Sequence, residues 1–372
     1  MREPTLVSAI QRPTILVDEE RVRRNIQWMA EKAARGPFHF RPHFKTHQSA
    51  FIGNWFRDYG VKAITVSSVE MAAYFIQNGW RDITIAFPVN LRQIDLINEL
   101  TGSNAINLLV ESQAAAESLE TRLTGRVGVW ISIDAGYGRE GRPFSDIQGN
   151  LALIKVIQAS RRLHFKGLLA HFGNTYGCVG KESITHAYRA SLAKLLSLKA
   201  ELAAQGVSEC QISVGDTPAC SVVDDLSPVN EIRPGNFVFY DLTQWKLEAC
   251  SEDQIAAVAA CPVVGVYPER NTIALYGGAI HLSKDFVANP DGSRTYGRVA
   301  RLTQTGWEPA LDGTEVYSVS QEHGMIHAPA EICKQVQAGD LLAVLPAHIC
   351  LTVSAIKRYQ MLNGDKFEAC EC

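Results

Sequence analysis

The chain has 372 residues, enough for one large or two ordinary domains, and its hydrophobic and charged fractions, 46% and 20%, are typical of a globular protein with a sizeable core. The net charge of −3, with both signs dispersed, argues against nucleic acid or an anionic membrane surface as a partner. No window approaches the ~20 apolar residues of a membrane span. Scattered cysteines and the lack of a long apolar run after Met1 predict reduced thiols and a cytoplasmic location.

From residue 39 onward, short apolar runs alternate with amphipathic segments. The runs predict strands at 39–45, 62–67, 82–87, 105–111, 127–134, 165–171, 210–215 and 231–239. The segments between them predict helices at 47–59, 69–78, 91–100, 112–121, 145–161 and 181–205. Eight strands with helical crossovers over about 230 residues indicate a (β/α)8 barrel. A doubly wound open sheet is the structural alternative, but no glycine fingerprint of a dinucleotide site follows the first strand.

After residue 245 the helical periodicity fades and turn signals become frequent, as at Asn289-Pro290-Asp291-Gly292. This loss of helical periodicity and gain of turn signals predict a β-rich second domain. Its strands are expected at 262–268, 271–276, 297–304, 315–319, 341–345 and 351–358. We therefore expect a barrel domain over residues 13–244 and a β-rich domain over residues 245–372, the latter joined by an N-terminal arm of residues 1–12.

The first predicted barrel strand carries an unusual set of side chains. Arg41, His43, Lys45 and His47 alternate with other residues, and a strand places alternate residues on one face. Unpaired charges are costly to bury, so these four groups predict a functional site rather than a core strand. A lysine amine in such a site can form a Schiff base and then act as a base.

The sequence Arg41-Pro42-His43-x-Lys45-Thr46-His47 resembles the pyridoxal-phosphate lysine motif of the D-threonine aldolase and eukaryotic-type D-serine dehydratase family. That family has the alanine-racemase-like fold, in which a (β/α)8 barrel is followed by a β-rich domain. Two later stretches also resemble it. They are Asp134-x-Gly136-x-x-Arg139-x-Gly141 and His171-x-Gly173-x-x-Tyr176. The resemblance implies that Lys45 binds pyridoxal phosphate and that Arg139, His171 and Tyr176 lie around the cofactor.

A phosphate site is expected in the loops after barrel strands seven and eight, where barrels commonly bind phosphate. Backbone amides next to glycine and nearby hydroxyls are suitable donors. The candidates are Gly215, Thr217, Gly235, Asn236 and Tyr240. The stretch Arg233-Pro234-Gly235-Asn236 also resembles the family.

A metal pair is predicted near the C-terminus. His348 and Cys350 are two residues apart, so on a strand they share a face. Imidazole and thiolate suit Zn²⁺, and two protein ligands leave positions open for water and substrate. The pair resembles the His-x-Cys zinc pair of D-serine dehydratases, whereas D-threonine aldolases have His-x-Asp. Another divalent metal is the alternative. Ser320-Gln321-Glu322-His323-Gly324 also resembles a family stretch, and Glu322 and His323 are either site residues or part of a polar turn.

These features predict a pyridoxal-phosphate-dependent, Zn²⁺-assisted dehydratase of a small D-3-hydroxyamino acid, such as D-serine, D-threonine or 3-hydroxyaspartate, that yields a 2-oxo acid and ammonia. The nearest alternative is a metal-dependent aldolase that cleaves the same substrates to glycine and an aldehyde. An amino-acid racemase or a non-catalytic pyridoxal-phosphate carrier is more remote, because neither needs the metal pair. The resemblance also implies a homodimer.

Overall fold

The computed structural model describes residues 10–371, which form two compact units. We call them the barrel unit, made of Trp28–Lys45 and Gly53–Gly235, and the β unit, made of Thr46–Ile52, Asn236–Glu371 and the described residues up to Gln27. The predicted domain boundaries at 13–244 and 245–372 stay a prediction. Most of the predicted arm, residues 1–9, lies outside the described residues.

The barrel unit contains eight parallel strands in a nearly closed ring, which confirms the predicted fold class. Neighbouring strands follow the order His39–Phe40, Glu231–Ile232, Gln211–Val214, Leu163–Ala170, Val127–Asp134, Ala105–Val110, Asp82–Pro88 and Ala63–Val66. An isolated bridge between His43 and Thr65 joins the two ends of this order. A two-residue strand, Arg142–Pro143, pairs with Val127–Asp134. Leu109, Trp130 and Leu169 form a buried cluster in the barrel.

The helices confirm the predicted alternation of strand and helix. They span Glu19–Ala34, Ala50–Arg57, Val69–Gln77, Ile94–Thr101, Gln113–Arg122, Ile147–Ala159, Lys181–Ala204, Thr217–Val222, Leu242–Lys246, Ala279–Leu282, Ala330–Cys333 and Ile349–Ile356. Short 3₁₀ turns lie at Leu91–Gln93, Gly173–Gly177, Asn236–Val238, Glu252–Gln254 and Pro268–Arg270. Asp or Ser caps several of the barrel helices; Ser68, for example, accepts a hydrogen bond from the amide of Met71. Within residues 10–371, no helix combines the length and apolar character that a membrane crossing needs.

Two predicted barrel strands are shorter than expected, and proline explains both. The strand predicted over 39–45 ends at Phe40, and the strand predicted over 231–239 ends at Ile232. Pro42 and Pro234 follow these ends, and proline supplies no N–H to a strand ladder. The backbone stays paired as far as Phe44, but residues 44–47 form a turn, so the expected alternation of side chains from Arg41 to His47 fails at Lys45 and His47.

The β unit is built on a ring of antiparallel strands. Around the ring they are Thr272–Tyr276, His323–His327, Glu315–Val319, Gly297–Thr303, Leu341–Pro346 and Ala257–Tyr267, and the last pairs again with the first. The sheet extends from Ala257–Tyr267 through Thr14–Val17, Arg358–Met361 and Lys366–Glu368. Gly306–Trp307 pairs with Gly297–Thr303, and Val287–Ala288 pairs with Arg294–Thr295. The predicted β-rich character of the C-terminal region is confirmed.

One predicted strand of the β unit is a helix. Residues 351–358 were expected to be extended, but Ile349–Ile356 is helical and a strand starts only at Arg358. Ile349, Val353 and Ile356 are buried at helical spacing. A short apolar run is ambiguous between strand and helix in the sequence. The strand His323–His327, in contrast, was not predicted.

The described cysteines other than Cys370 are thiols, as the composition predicted. Cys370 is disulfide-bonded, so the expectation of reduced thiols was wrong at that position.

A buried ion-pair network crosses the barrel interior. Arg41 Nε donates to Glu231 at 2.6 Å, and its Nη1 donates to Asp82 at 2.7 Å. The Ser213 hydroxyl donates to the second Glu231 oxygen at 2.7 Å. Asp82 and Glu231 begin their strands, so Arg41 is directed to the amino-terminal end of the barrel.

We expect Glu231→Gln to lower the free energy of unfolding by about 3 kcal/mol, because it leaves a buried guanidinium only partly compensated. The control is Glu20→Gln, which removes an exposed pair with Arg24 and is expected to cost at most about 0.5 kcal/mol. Urea unfolding curves measure both. Equal effects of the two substitutions would contradict the assignment of Glu231 as a buried counter-ion.

Candidate active site

Lys45 lies in a turn at the carboxyl end of the barrel strands, just after the bridge between His43 and Thr65. Phe44 anchors this turn. Its ring lies 4.8 Å from that of Phe56 and 5.1 Å from that of Trp80, and it is fully buried. Lys45 is half-buried, and its own amide faces Nδ1 of His43 at 3.4 Å. A buried aromatic neighbour therefore fixes the position of the predicted cofactor lysine.

His171 follows the strand Leu163–Ala170 at the same end of the barrel. Its Nδ1 is 2.6 Å from the backbone oxygen of Gly215. A carbonyl can only accept, so Nδ1 carries the proton and Nε2 keeps a lone pair. The rings of Tyr176 and Tyr137 lie 6.1 Å and 5.7 Å from the imidazole. The predicted residues His171, Tyr176 and Gly215 thus lie together.

The imidazoles at this mouth are neutral. Burial lowers the pKa of His43 well below its usual range, and the charges of Lys45 and Arg233 lower it further. Burial also lowers the pKa of His171 to about 3, against the opposing hydrogen bond to Gly215 and with help from Arg139. Lys45, Arg139 and Arg233 lie close enough to these imidazoles to lower their pKa, and such cations suit an anionic cofactor such as pyridoxal phosphate.

Arg139 lies on an exposed loop after the strand Val127–Asp134. Its guanidinium pairs with the adjacent Glu140 and lies 5.6 Å from the centre of the Tyr137 ring. Asp134 shapes this loop, because its Oδ1 accepts the amides of residues 136, 137 and 138 at 2.7–3.1 Å. The predicted contact of Arg139 with a cofactor ring stays a prediction.

The predicted phosphate loop after strand seven contains a buried acid. Asp216 Oδ1 accepts the amide of Ala219 at 2.7 Å and the hydroxyl of Thr175 at 2.9 Å. Its Oδ2 is buried and has no hydrogen-bond partner. Burial raises the pKa of Asp216 to about 6, although those two donors favour the carboxylate. Gly215 and Thr217 are buried on either side of Asp216. A phosphate that accepted hydrogen bonds from these two residues would therefore lie next to a titratable acid.

Gly235 is the last residue of its segment in the barrel unit, whereas Asn236 and Tyr240 belong to the β unit. The Asn236 amide nitrogen donates to Asp241 Oδ2 at 2.5 Å and lies 3.7 Å from Cys350 Sγ. The Asn236 side chain is thus engaged near the predicted metal pair, and its backbone oxygen accepts the amides of Phe239 and Tyr240. Tyr240 is fully buried and has a left-handed backbone, with φ of 51°.

His348 and Cys350 do come together, but on a helix start rather than on a strand. His348 occupies the N-cap position and Cys350 the first turn of Ile349–Ile356. Burial lowers the pKa of His348, but Cys350, Asp241 and Asp285 outweigh it and raise the pKa to about 10. Cys350 and His348 are within hydrogen-bonding reach of each other. Imidazole and thiol groups are ligands that suit a borderline-soft cation such as Zn²⁺.

The Cys350 sulfur has further polar neighbours. Thr46 Oγ1 lies 3.3 Å from it, in addition to the Asn236 amide. Thr46 directly follows Lys45 in the sequence. Among residues 10–371, no group of three or more His, Cys, Asp or Glu side chains is arranged to hold a metal ion.

Several residues of these surroundings were missed by sequence reasoning. Arg233 is buried and donates to Ser213 Oγ at 2.7 Å and to the backbone oxygen of Ala170 at 3.0 Å. The stretch that contains it was predicted to bind phosphate only through Gly235 and Asn236. Asp285 contacts His348 from 63 positions away, so no local spacing could reveal it.

His47, expected beside Lys45, is buried in the β unit, where its backbone oxygen accepts the hydroxyl of Tyr359. Glu322 and His323 lie on an exposed hairpin turn.

Comparison with known protein families supports the family resemblance that the sequence motifs indicated. Residues 17–242 match the family model of the alanine racemase N-terminal domain. The chain belongs to this family of pyridoxal-phosphate-dependent proteins. Residues 256–362 match a second family model, described as "Putative serine dehydratase domain". The predicted relationship to D-serine dehydratases and D-threonine aldolases is therefore confirmed.

Curated relatives and solved structures cover nearly the whole chain. D-threo-3-hydroxyaspartate dehydratase from Delftia sp. HT23 superposes with a TM-score of 0.89 at 26% identity, over 100% of both chains. Structures of that enzyme also exist for a cysteine-to-alanine variant in the metal-free form and for a histidine-to-alanine variant. D-serine dehydratase from Dictyostelium discoideum is 26% identical over 96% of this chain and 95% of its own. A 3-hydroxy-D-aspartate aldolase from Paracoccus denitrificans is 22% identical over 97% and 91%.

The neutral state of His171 predicts a pH effect on stability. Unfolded histidine binds a proton near pH ~6.5, whereas folded His171 binds one only near pH about 3. As pH falls through this window the unfolded state gains the proton first, so the free energy of unfolding decreases. Above pH ~6.5 the group adds no pH dependence.

We expect His171→Asn to make the unfolding free energy of the cofactor-free protein fall less steeply between pH 6 and pH 4. The exposed His164→Asn is the matched control and should keep the wild-type slope. Urea unfolding at a series of pH values measures both. A wild-type slope in His171→Asn would contradict the neutral, buried state of this imidazole.

Proposed function

We propose that this protein is a pyridoxal-phosphate- and Zn²⁺-dependent dehydratase that converts a small D-3-hydroxyamino acid to a 2-oxo acid and ammonia. The observation that carries the proposal is the pairing of His348 with Cys350 in a chain that belongs to a pyridoxal-phosphate family. D-Serine, D-threonine and D-threo-3-hydroxyaspartate are the candidate substrates. The named dehydratases among its relatives support this class of reaction.

Lys45 would bind the cofactor and act as the base. Pyridoxal phosphate, when bound, supplies an electron sink for the substrate α-carbon. The Lys45 amine then removes the α-proton, for which the turn fixed by Phe44 provides a constant position. His171 would lie beside the cofactor as a neutral ring, held by Gly215. The cations Lys45, Arg139 and Arg233 would balance the negative charges of cofactor and substrate.

His348 and Cys350 would hold the metal, whose chemistry is that of a Lewis acid for a departing β-hydroxyl group. The sequence neighbour of Lys45, Thr46, lies 3.3 Å from the Cys350 sulfur. Thr46 therefore contributes to the polar surroundings of the Cys350 sulfur. The metal-free cysteine variant of the Delftia dehydratase supports the same assignment, because its substituted cysteine and histidine are also two positions apart.

The second candidate is a D-threonine or 3-hydroxyaspartate aldolase, which the aldolases among the relatives favour. Retro-aldol cleavage needs the β-hydroxyl deprotonated, whereas elimination needs it to leave. A thiolate ligand suits Zn²⁺ better than harder cations such as Mn²⁺, and this preference leads us to favour elimination. The homodimer, the cytoplasmic location and the cofactor contacts of Gly235, Asn236 and Tyr240 stay predictions.

Product analysis tests the proposal. We expect Zn²⁺-loaded protein with pyridoxal phosphate to release ammonia and a 2-oxo acid from at least one D-3-hydroxyamino acid of a panel. Dialysis against EDTA should abolish the release and Zn²⁺ should restore it, because the metal assists the leaving hydroxyl. Glycine and an aldehyde as the products would instead identify the aldolase.

The control for the cofactor lysine compares two lysines. Lys45→Ala should lose the Schiff-base absorbance of bound pyridoxal phosphate and all product formation. Lys62→Ala, at an exposed lysine of the same unit, should retain both. A Lys45→Ala protein that keeps the absorbance band would contradict the assignment of Lys45.

A further inference from the structure

We infer that Asp285 is a positioning residue for the metal: its carboxylate holds His348 in the tautomer and orientation that present Nε2 to the cation. The inference rests on the proposed metal site and adds a residue to it. His348 Nδ1 lies 2.7 Å from Asp285 Oδ2. An ionised carboxylate can only accept, so Nδ1 carries a proton, and Nε2 is the nitrogen left to bind a cation, which would displace any proton there. Such a partner on the non-ligating nitrogen is a recurrent feature of metal-binding histidines.

Asp285 is itself held by a local turn. Its backbone amide donates to Ser283 Oγ at 3.1 Å, and the amide of Ser283 donates to the backbone oxygen of Ala279 at 3.0 Å. The turn therefore continues directly from the short helix Ala279–Leu282. These contacts fix the backbone from which the Asp285 carboxylate reaches His348.

The same short helix is tied to the helix that carries the metal pair. The Thr352 hydroxyl lies 3.1 Å from the backbone oxygen of His348 and 3.4 Å from that of Leu282. One side chain thus joins the start of Ile349–Ile356 to the end of Ala279–Leu282. The imidazole and its carboxylate partner are fixed to a common support, which is what a metal ligand with a set orientation requires.

The exposure of the pair separates this role from a purely structural one. The His348 and Asp285 side chains are 39% and 49% exposed. Ion pairs with this much solvent contact contribute little to folding. Loss of the Asp285 charge should therefore leave the fold intact and should act mainly on metal binding.

The experiment measures Zn²⁺ affinity of the protein loaded with pyridoxal phosphate, by competition with a chromophoric chelator. We expect Asp285→Asn to raise the Zn²⁺ dissociation constant about 10- to 100-fold. Asp285→Glu should recover much of the affinity, because it restores a carboxylate. Asp312→Asn is the matched control: it removes an exposed acid of the same unit and should bind Zn²⁺ like the wild type.

Two further readouts exclude a folding defect. The melting temperature of Asp285→Asn and its cofactor absorbance should match those of the wild type. With Co²⁺ in place of Zn²⁺, the thiolate charge-transfer band should persist at saturating metal, because Cys350 still binds. A Zn²⁺ dissociation constant equal to that of Asp312→Asn would overturn the inference while leaving the proposed function intact. If His348→Ala leaves the Zn²⁺ dissociation constant at its wild-type value, the proposed metal site is wrong and the inference fails with it.

Discussion

The burial of Phe44 is the constraint on which the rest of the candidate site depends. Its ring is packed by Phe56, Phe75 and Trp80, and a side chain at Gly53 would approach it to 3.1 Å, so the turn that follows has little freedom. That turn carries Lys45, and the next residue reaches the Cys350 sulfur. An apolar contact thereby restricts the position of Lys45, the residue that we propose binds the cofactor.

Electrostatic interactions determine the protonation states of the histidines in the candidate site. Desolvation and nearby cations keep His43 and His171 neutral, so their rings are available as acceptors beside Lys45, Arg139 and Arg233. Around the predicted metal pair the balance is reversed: Cys350, followed by Asp241 and Asp285, raises the pKa of His348 to about 10 against the effect of burial. A cation is favoured at that pair and an anion at the barrel mouth.

The sequence predicted the strands and helices that have a periodic hydrophobic pattern. It did not predict contacts between residues that are distant in the chain. Alternating apolar runs predicted the barrel correctly, since buried parallel strands and amphipathic helices have distinct periods. The prolines at 42 and 234 shortened two strands, and the run from Ile349 to Ile356 folded as a helix. Spacing nevertheless found His348 and Cys350, because neighbours two apart stay close at a helix start. Asp285 depends on the packing of two distant helices, which no local pattern encodes.

The central claim is that Lys45 removes the α-proton and that the metal acts afterwards on the β-hydroxyl. The most direct test incubates metal-free protein containing pyridoxal phosphate with D-serine in D₂O and follows the α-hydrogen by NMR. The account predicts that the α-hydrogen exchanges for deuterium, that no ammonia forms, and that adding Zn²⁺ starts ammonia release. Retention of the α-hydrogen, or ammonia release at an undiminished rate without metal, would contradict this division of roles.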